Sequence, residues 1–233
     1  NCYKKTYVMS LRRTLFSKFN VGKILNRSFS TQVPHGTSGV LVNRVLSPET
    51  DEYKDLWSKS GELYELVLSP RNFCDIELIL NGAFSPLTGF MTSKDYNGVV
   101  NDMELQDGTI FPIPINMDIS EDQALDIEKQ NIKEILLRDG EGNPIAVLNV
   151  EDIWKPDKKL EAQKVFGGDP EHPAIVYLND YTKNMYIGGK LTGFQLPPHY
   201  DYKDLRRTPQ ETRDMFKKLG WKNICAFQTR NPM

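Results

Sequence analysis

The chain has 233 residues, of which 39% are apolar, and its formal net charge is −2. This length and composition are enough for a hydrophobic core in one large domain, or in one and a half domains of ordinary size. The charge is unevenly distributed: the first 48 residues carry eight Lys or Arg residues and no Asp or Glu, which leaves 21 basic against 31 acidic residues in the rest. An acidic body of this kind argues against a general nucleic-acid-binding surface.

The amino-terminal arm is basic and amphipathic. Leu11, Leu15 and Phe19 recur every four residues among arginines and lysines, a pattern typical of an organelle transit peptide. Residues 1–32 are therefore predicted to be a disordered targeting presequence, with a mitochondrion or related organelle as destination and plastid or cytoplasm as alternatives. A disordered tail that binds acidic surfaces is the other interpretation. No apolar run approaches the length of a membrane span, so no membrane partner is expected.

The middle of the chain, from Thr37 to Tyr200, consists of many short elements. Ser69-Pro70 predicts the start of a helix that Gly82 ends. Residues 111–117 alternate between apolar and polar side chains and predict an edge strand, because the two prolines in this run have no N–H to donate. The apolar runs 135–137 and 145–148 flank a loop rich in Gly, Asp and Asn, which predicts a β-hairpin.

Further strands are predicted at residues 174–178 and 186–187, so that the region forms a mostly β, barrel-like module with a few helices. Turns, and not phosphate-binding loops, are predicted at Asn81-Gly82, Gly89, Gly167-Gly168 and Gly188-Gly189, since neither a Walker pattern nor GxGxxG occurs. P-loop transfer and dinucleotide oxidoreduction are therefore disfavoured. The cysteines and histidines are isolated and contain no CxxC pair, so no protein-bound metal is predicted.

The carboxyl-terminal stretch has the pattern of an α/β domain. Thr208-Pro209-Gln210-Glu211 is a capping box that predicts a helix over 209–219. The apolar run 224–227 predicts a strand at about 222–227, and Asn231-Pro232 predicts the start of a second helix. Helix, strand and helix in this order indicate the beginning of a doubly wound domain.

Gln228, Thr229, Arg230 and Asn231 lie at the predicted strand-to-helix junction. Such junctions hold anions in open α/β sheets, because backbone N–H groups and the positive end of the helix dipole meet there. The guanidinium of Arg230 matches a tetrahedral oxyanion in two hydrogen bonds. The other interpretation is a solvated loop in which Arg230 pairs with a surface carboxylate.

The run Gln228-Thr229-Arg230-Asn231-Pro232-Met233 resembles the opening half of the signature of the ATP sulfurylase (sulfate adenylyltransferase) family. Three further blocks, residues 78–91, 164–173 and 193–200, resemble the same family in the same order. The resemblance implies an α+β fold with a mostly β PUA-like barrel domain over 33–201. It also implies that residues 202–233 begin a Rossmann-like α/β nucleotidyltransferase domain.

The resemblance also implies a reaction, in which ATP and sulfate give adenosine 5′-phosphosulfate and pyrophosphate. Gln228 and Arg230 match the family's sulfate-binding positions, and Gln228, Thr229, Arg230 and Asn231 match its ATP-binding positions. Thr229, Arg230 and Asn231 carry the catalytic roles, with Arg230 also reaching the transferring phosphoryl group. ATP is a substrate that carries its own Mg²⁺, and the chain is expected to form a homo-oligomer.

The histidines that follow this motif in the family would lie after Met233, so the 233-residue chain alone is expected to be inactive. One alternative is a bifunctional synthetase with an adenylylsulfate kinase fused downstream. A second alternative, from a different class, is a non-catalytic PUA-like module that binds RNA. Lys158, Lys159 and Lys164 are too sparse, and too close to acidic residues, to favour the RNA-binding alternative.

Overall fold

A six-stranded mixed sheet is the centre of the computed structural model, which describes residues 39–227. The strands are β1 (Tyr64–Val67), β2 (Gly89–Phe90), β3 (Met117–Ile119), β4 (Glu134–Arg138), β5 (Pro144–Trp154) and β6 (Met185–Gly193). The helices are α1 (Asp51–Lys59), α2 (Pro70–Leu80), α3 (Ser93–Asp102), α4 (Glu121–Lys129), α5 (Lys158–Phe166), α6 (Pro173–Asp180) and α7 (Pro209–Lys218). The fold is α+β, as predicted.

The strands lie in the order β1-β4-β5-β6-β2. The short strand β3 also pairs with β6, at residues 185–187, whereas β2 pairs with β6 at residues 189–190. Only the β1–β4 pair is parallel among these strands; the others are antiparallel. The predicted hairpin is formed by β4 and β5, whose central apolar residues at 135–137 and 145–148 are fully buried. These residues supply the middle of the hydrophobic core, since side chains on both faces of the central strands are removed from water.

Asp139 organises the hairpin loop. Its carboxylate accepts hydrogen bonds from the backbone N–H groups of Glu141 and Asn143 and from the Asn143 amide. Burial raises the pKa of this carboxyl, but the donors from Asn143, Glu141 and Gly142 outweigh burial and leave the pKa below its ordinary value. The loop chemistry expected from the sequence is therefore present.

Two helix starts follow the predicted capping rules. Ser69 caps α2, with Pro70 in its first turn, and the buried side of that helix presents Ile76, Ile79 and Leu80. Thr208 and Glu211 form the predicted capping box of α7, with the Glu211 carboxylate accepting from Thr208 N–H at 2.8 Å. The hydrogen bonds that Thr208 donates to this carboxylate, from its backbone N–H and from its hydroxyl, lower the pKa of Glu211.

The strand predicted at 174–178 is wrong, because these residues lie in α6. The His172 ring nitrogen accepts a hydrogen bond from Ala174 N–H, and Pro173 occupies the first turn, so the helix is capped at its start. Ile175 and Leu178 then fall on one side and pack against Ala162 of α5. A run of five apolar residues is compatible with either element, and here the cap decides for the helix.

The predicted edge strand at 111–117 is reduced to β3, which begins at Met117. Pro112 and Pro114 cannot donate to a ladder, and the residues between Phe111 and Asn116 are irregular. The strand predicted at about 222–227 is also wrong: residues 221–227 are irregular and pair with no described strand. A strand needs a hydrogen-bonded neighbour, which apolar sequence alone does not provide.

The glycines predicted to form turns in the middle of the chain divide into two groups. Gly82, Gly167 and Gly168 have positive φ and do lie in turns. Gly89 lies in β2, and Gly188–Gly189 lie inside β6, so for these the turn prediction is wrong. A Cβ at Gly188 would lie 2.0 Å from the Met91 carbonyl oxygen, so glycine is required by the close approach of backbones and not by a turn.

Candidate functional site

The segment that leads to the predicted anion site begins where β6 ends. Residues 195–208 form an irregular connecting segment, α7 follows, and the chain leaves the helix through Gly220, whose φ is +69°. The rings of Phe216 and Trp221 stack across this exit with centroids 5.8 Å apart. The four predicted site residues, Gln228, Thr229, Arg230 and Asn231, lie outside the described residues, so their predicted roles stay predictions.

Helix α7 and the residues just after it expose apolar side chains. Met215, Leu219 and Trp221 are 40%, 52% and 56% exposed, and no residue of the helix is buried. Arg213 ties α7 to the body of the fold, because its guanidinium donates a 2.8 Å hydrogen bond to the carbonyl of Gly39. The segment before the predicted site is therefore a capped helix joined to the fold at a defined point.

A groove of about 410 Å³ at the start of α5 is lined by Lys155, Pro156, Asp157, Lys158, Lys159 and Asn184. Its positive charge is partly compensated, and two of its lysines are held by specific partners. Lys155 pairs with Glu121 at 3.1 Å, and Lys158 donates to the carbonyl of Thr182 at 2.7 Å. Burial lowers the pKa of Lys158. Because the lining contains no aromatic ring on which a base could stack, the groove gives little support to RNA binding.

A buried carboxyl group lies on α5, one turn after the residues that line this groove. Glu161 of α5 is 2% exposed, and its Oε2 accepts hydrogen bonds from the hydroxyls of Tyr96 at 2.9 Å and Tyr186 at 3.3 Å. Burial raises the pKa of Glu161, an effect that the two hydroxyls partly offset. The rings of Tyr96, Tyr186 and Trp154 contact each other edge to face or tilted, with centroids 5.7–5.8 Å apart.

This cluster can hold α5 against the sheet, but it has no activated nucleophile. Burial and the Glu161 charge raise the pKa of both Tyr96 and Tyr186, so their hydroxyls stay protonated and donate. No sequence pattern indicates the cluster, because Tyr96 and Glu161 are 65 positions apart. Within residues 39–227, no group of three His, Cys, Asp or Glu side chains could hold a metal ion.

Asp75 of α2 is another carboxyl group that is largely removed from water. Its side chain is 15% exposed, and its Oδ2 lies 3.9 Å from Nε of Arg71, whose guanidinium also lies over the ring of Tyr177. Burial raises the pKa of Asp75 from 3.8 to about 6, although the Arg71 charge lowers it in part. The Asp75 carboxylate therefore binds a proton more tightly in the folded chain than in the unfolded chain.

Asp75 should make the fold less stable as the pH rises from about 4 to about 6, with no further change above that. We expect Asp75→Asn to stabilise the chain by about 1–2 kcal/mol at pH 7.5. The roughly 3 kcal/mol that two pKa units represent is an upper limit, because an amide does not fully replace a protonated carboxyl group. Urea unfolding of both proteins at pH 4.5 and 7.5 measures the effect. An equal difference at the two pH values would show that Asp75 has an ordinary pKa.

None of the helices in the part of the chain that the structure covers has the length and apolar character needed to cross a membrane.

Comparison with known proteins identifies the two parts of the chain. Residues 32–196 match the family described as "PUA-like domain", and residues 203–233 match the family described as "ATP-sulfurylase". The sulfate adenylyltransferases of Yarrowia lipolytica and Saccharomyces cerevisiae are 49% and 48% identical to the chain over 201 and 202 residues. These comparisons cover 86% of this chain but 35% and 39% of the two relatives, so the chain spans little more than a third of their length.

A solved structure described as "Hexameric APS kinase from Thiobacillus denitrificans" has the same fold. It is 32% identical to this chain with a TM-score of 0.65, over 86% of this chain and 35% of that one. The chain therefore belongs to the PUA-like domain family. Its PUA-like domain and the segment after it are homologous to the corresponding third of sulfate adenylyltransferases, which confirms the family resemblance seen in the sequence.

Proposed function

We propose that the full-length protein containing this chain is a sulfate adenylyltransferase that joins sulfate to the α-phosphorus of ATP. The observation that carries the proposal is the identity of 46–49% to curated sulfate adenylyltransferases over most of the chain. It is supported by the match of residues 203–233 to the ATP-sulfurylase family, since this segment contains the run Gln228–Asn231.

In the proposed reaction, one sulfate oxygen forms a bond to the α-phosphorus as the bond from that phosphorus to the bridging oxygen of pyrophosphate breaks. The electron pair leaves with pyrophosphate, and no proton has to move, because sulfate is already an anion. The barrier comes from bringing a dianion up to a polyphosphate, so positive charge and in-line positioning matter more than general-base catalysis.

The residues of the motif divide these tasks. Gln228 and Arg230 hold sulfate, and Arg230 also reaches the transferring phosphoryl group. Thr229 and Asn231 orient the triphosphate and stabilise its departing end. The fork of Arg230 can bind an oxyanion with two parallel hydrogen bonds, which a lysine cannot do. Mg²⁺ enters with ATP, and no protein-bound metal is proposed.

Pyrophosphate release by the full-length protein tests this function. With pyrophosphatase added to remove the product, orthophosphate should form only when ATP and sulfate are both present. A control without sulfate should stay at the level of the protein-free reaction. Release at the same rate without sulfate would indicate an ATP pyrophosphohydrolase and would overturn the proposal.

The similar protein from Thiobacillus denitrificans is described as an APS kinase, which favours one further activity, the phosphorylation of adenosine 5′-phosphosulfate. Supplying the full-length protein with ATP and adenosine 5′-phosphosulfate tests it, since a second phosphate on the nucleotide would reveal a fused kinase. The hexameric state of that similar protein supports a homo-oligomer here, which light scattering of the purified protein would measure.

The basic arm supports an organelle location for the full-length protein. We propose that residues 1–32 target it to the mitochondrion or a related organelle, because the arm is amphipathic and has no acidic residue. Import of the protein into isolated mitochondria, with removal of the arm, would support this location. An uncleaved protein left outside them would contradict it.

A further inference from the structure

We propose that His199 and Glu77 form a clamp that fixes the connecting segment, residues 195–208, on helix α2 and so positions α7, the helix that precedes the predicted site residues in sequence. Nε2 of His199 lies 2.8 Å from Oε1 of Glu77, although the two residues are 122 positions apart. The clamp itself stands on contacts in the described residues. Its catalytic consequence rests on the proposed sulfate adenylyltransferase function.

The Glu77 side of the clamp is rigid. Glu77 lies on α2 between Ile76 and Ile79, which are fully buried in the main hydrophobic core. The carbonyl of Leu80, at the end of the same helix, accepts a hydrogen bond from the backbone N–H of Arg44 at 2.9 Å. Movement of α2 would disrupt this packing, so Glu77 is a fixed acceptor.

The connecting segment is also fixed between the end of β6 and His199. The amide of Gln195 donates to the carbonyl of Pro144 at 3.1 Å, and Pro197 is buried. Pro197 and Pro198 have fixed φ angles, so little rotation is possible just before His199. The side chains of His199 and Glu77 are 28% and 27% exposed, which leaves the pair less screened by water than a surface ion pair.

The part of the connecting segment beyond His199 is braced within itself. The guanidinium of Arg206 pairs with the Asp201 carboxylate at 3.0 Å and lowers its pKa. Inside this loop, Leu205 N–H donates to the carbonyl of Tyr202 at 2.8 Å. The capping box at Thr208, two residues after Arg206, then starts α7. The segment between His199 and α7 is therefore short and internally hydrogen-bonded, so fixing His199 also restricts where α7 can lie.

The clamp acts together with the hydrogen bond from Arg213 to Gly39, which lies one turn inside α7. A single attachment would let the helix pivot, whereas two attachments separated along the chain restrict both its position and its direction. In adenylyl transfer without a general base, the rate depends on placing the two anions in line, and a shift of about 1 Å can cost on the order of a hundredfold. His199 and Glu77 are thus positioning residues.

Four variants of the full-length protein test the clamp: His199→Ala, Glu77→Gln, the double variant, and His199→Gln, whose amide can still donate to Glu77. Glu121→Gln is the matched control, because it breaks an exposed ion pair with Lys155 far from the connecting segment in sequence. Two measurements are made, namely kcat for sulfate-dependent pyrophosphate release and hydrogen exchange of backbone amides over residues 200–219.

We expect His199→Ala to raise exchange over residues 200–219 about tenfold and to lower kcat about tenfold, with KM for ATP and the exchange of β4 and β5 unchanged. The double variant should be no worse than His199→Ala, and His199→Gln should recover most of the loss. Unchanged exchange in His199→Ala would overturn the clamp, whatever the activity. If the wild-type protein shows no sulfate-dependent activity but His199→Ala still exchanges faster than wild type, the clamp stands and the proposed function is refuted instead.

Discussion

Arg230→Ala and Arg230→Lys should each lower sulfate-dependent pyrophosphate release by the full-length protein at least about a thousandfold. The alanine variant removes the positive charge that brings sulfate and the α-phosphate together. The lysine variant keeps the charge but replaces a planar fork by a single ammonium, which cannot bind an oxyanion with two parallel hydrogen bonds. Loss of one donor aimed at developing charge costs about a hundredfold to a thousandfold in rate, and Arg230 is proposed to contact both reacting anions.

The control for this prediction is Arg207→Ala. Arg207 is an exposed arginine just before α7 and has no place in the proposed site. Its variant should keep the wild-type rate, which would show that the loss of one basic charge from this part of the chain does not by itself lower activity. Wild-type circular dichroism and melting temperature in the two Arg230 variants would show that the fold survives. Activity within tenfold of wild type in both would remove Arg230 from the mechanism.

Gly188→Ala should destabilise the fold of the 233-residue chain by at least about 4 kcal/mol. Gly188 lies inside β6, and a Cβ there would be 2.0 Å from the Met91 carbonyl oxygen and 2.6 Å from its carbonyl carbon. Both atoms belong to backbone, so no side-chain rotation can make room. A loss of this size is a large fraction of the roughly 5–15 kcal/mol by which a domain is stable.

Gly140→Ala is the matched control. Gly140 lies in the hairpin loop, does not have a positive φ, and has no atom within 4 Å of the Cβ that alanine would add. Its variant should change the free energy of unfolding by less than about 1 kcal/mol, because alanine also restricts the unfolded chain. Urea unfolding and soluble yield measure both variants. A folded Gly188→Ala protein of near wild-type stability would show that β6 can move away from residue 91.

The parts of the fold that could be predicted from the sequence are those set by local chemistry. Thr208 and Glu211 predict the helix over 209–219, because their capping hydrogen bonds join residues three positions apart. Two apolar runs and the loop that Asp139 organises predict the hairpin of β4 and β5 in the same way. In both cases the residues that decide the structure are close together in the chain.

The parts that could not be predicted depend on residues far apart in sequence. Gly188 and Gly189 look like turn residues until the backbone of Met91, just after β2, and the backbone of β5 approach them. The hydrogen bond between His199 and Glu77 spans 122 positions and has no local pattern. The strand prediction at 222–227 is wrong for the related reason that apolar residues do not specify a pairing partner. The predicted site residues lie outside the described part of the chain, so only family resemblance supports their roles.

The most direct measurement of the proposed function follows the α-phosphorus. The full-length protein is given ATP labelled with ³²P at the α-position, sulfate and pyrophosphatase, and the nucleotides are separated. We expect the label to appear in adenosine 5′-phosphosulfate, with none in orthophosphate and none transferred when sulfate is omitted. Label found in AMP without any phosphosulfate, or label that stays in ATP, would contradict adenylyl transfer to sulfate.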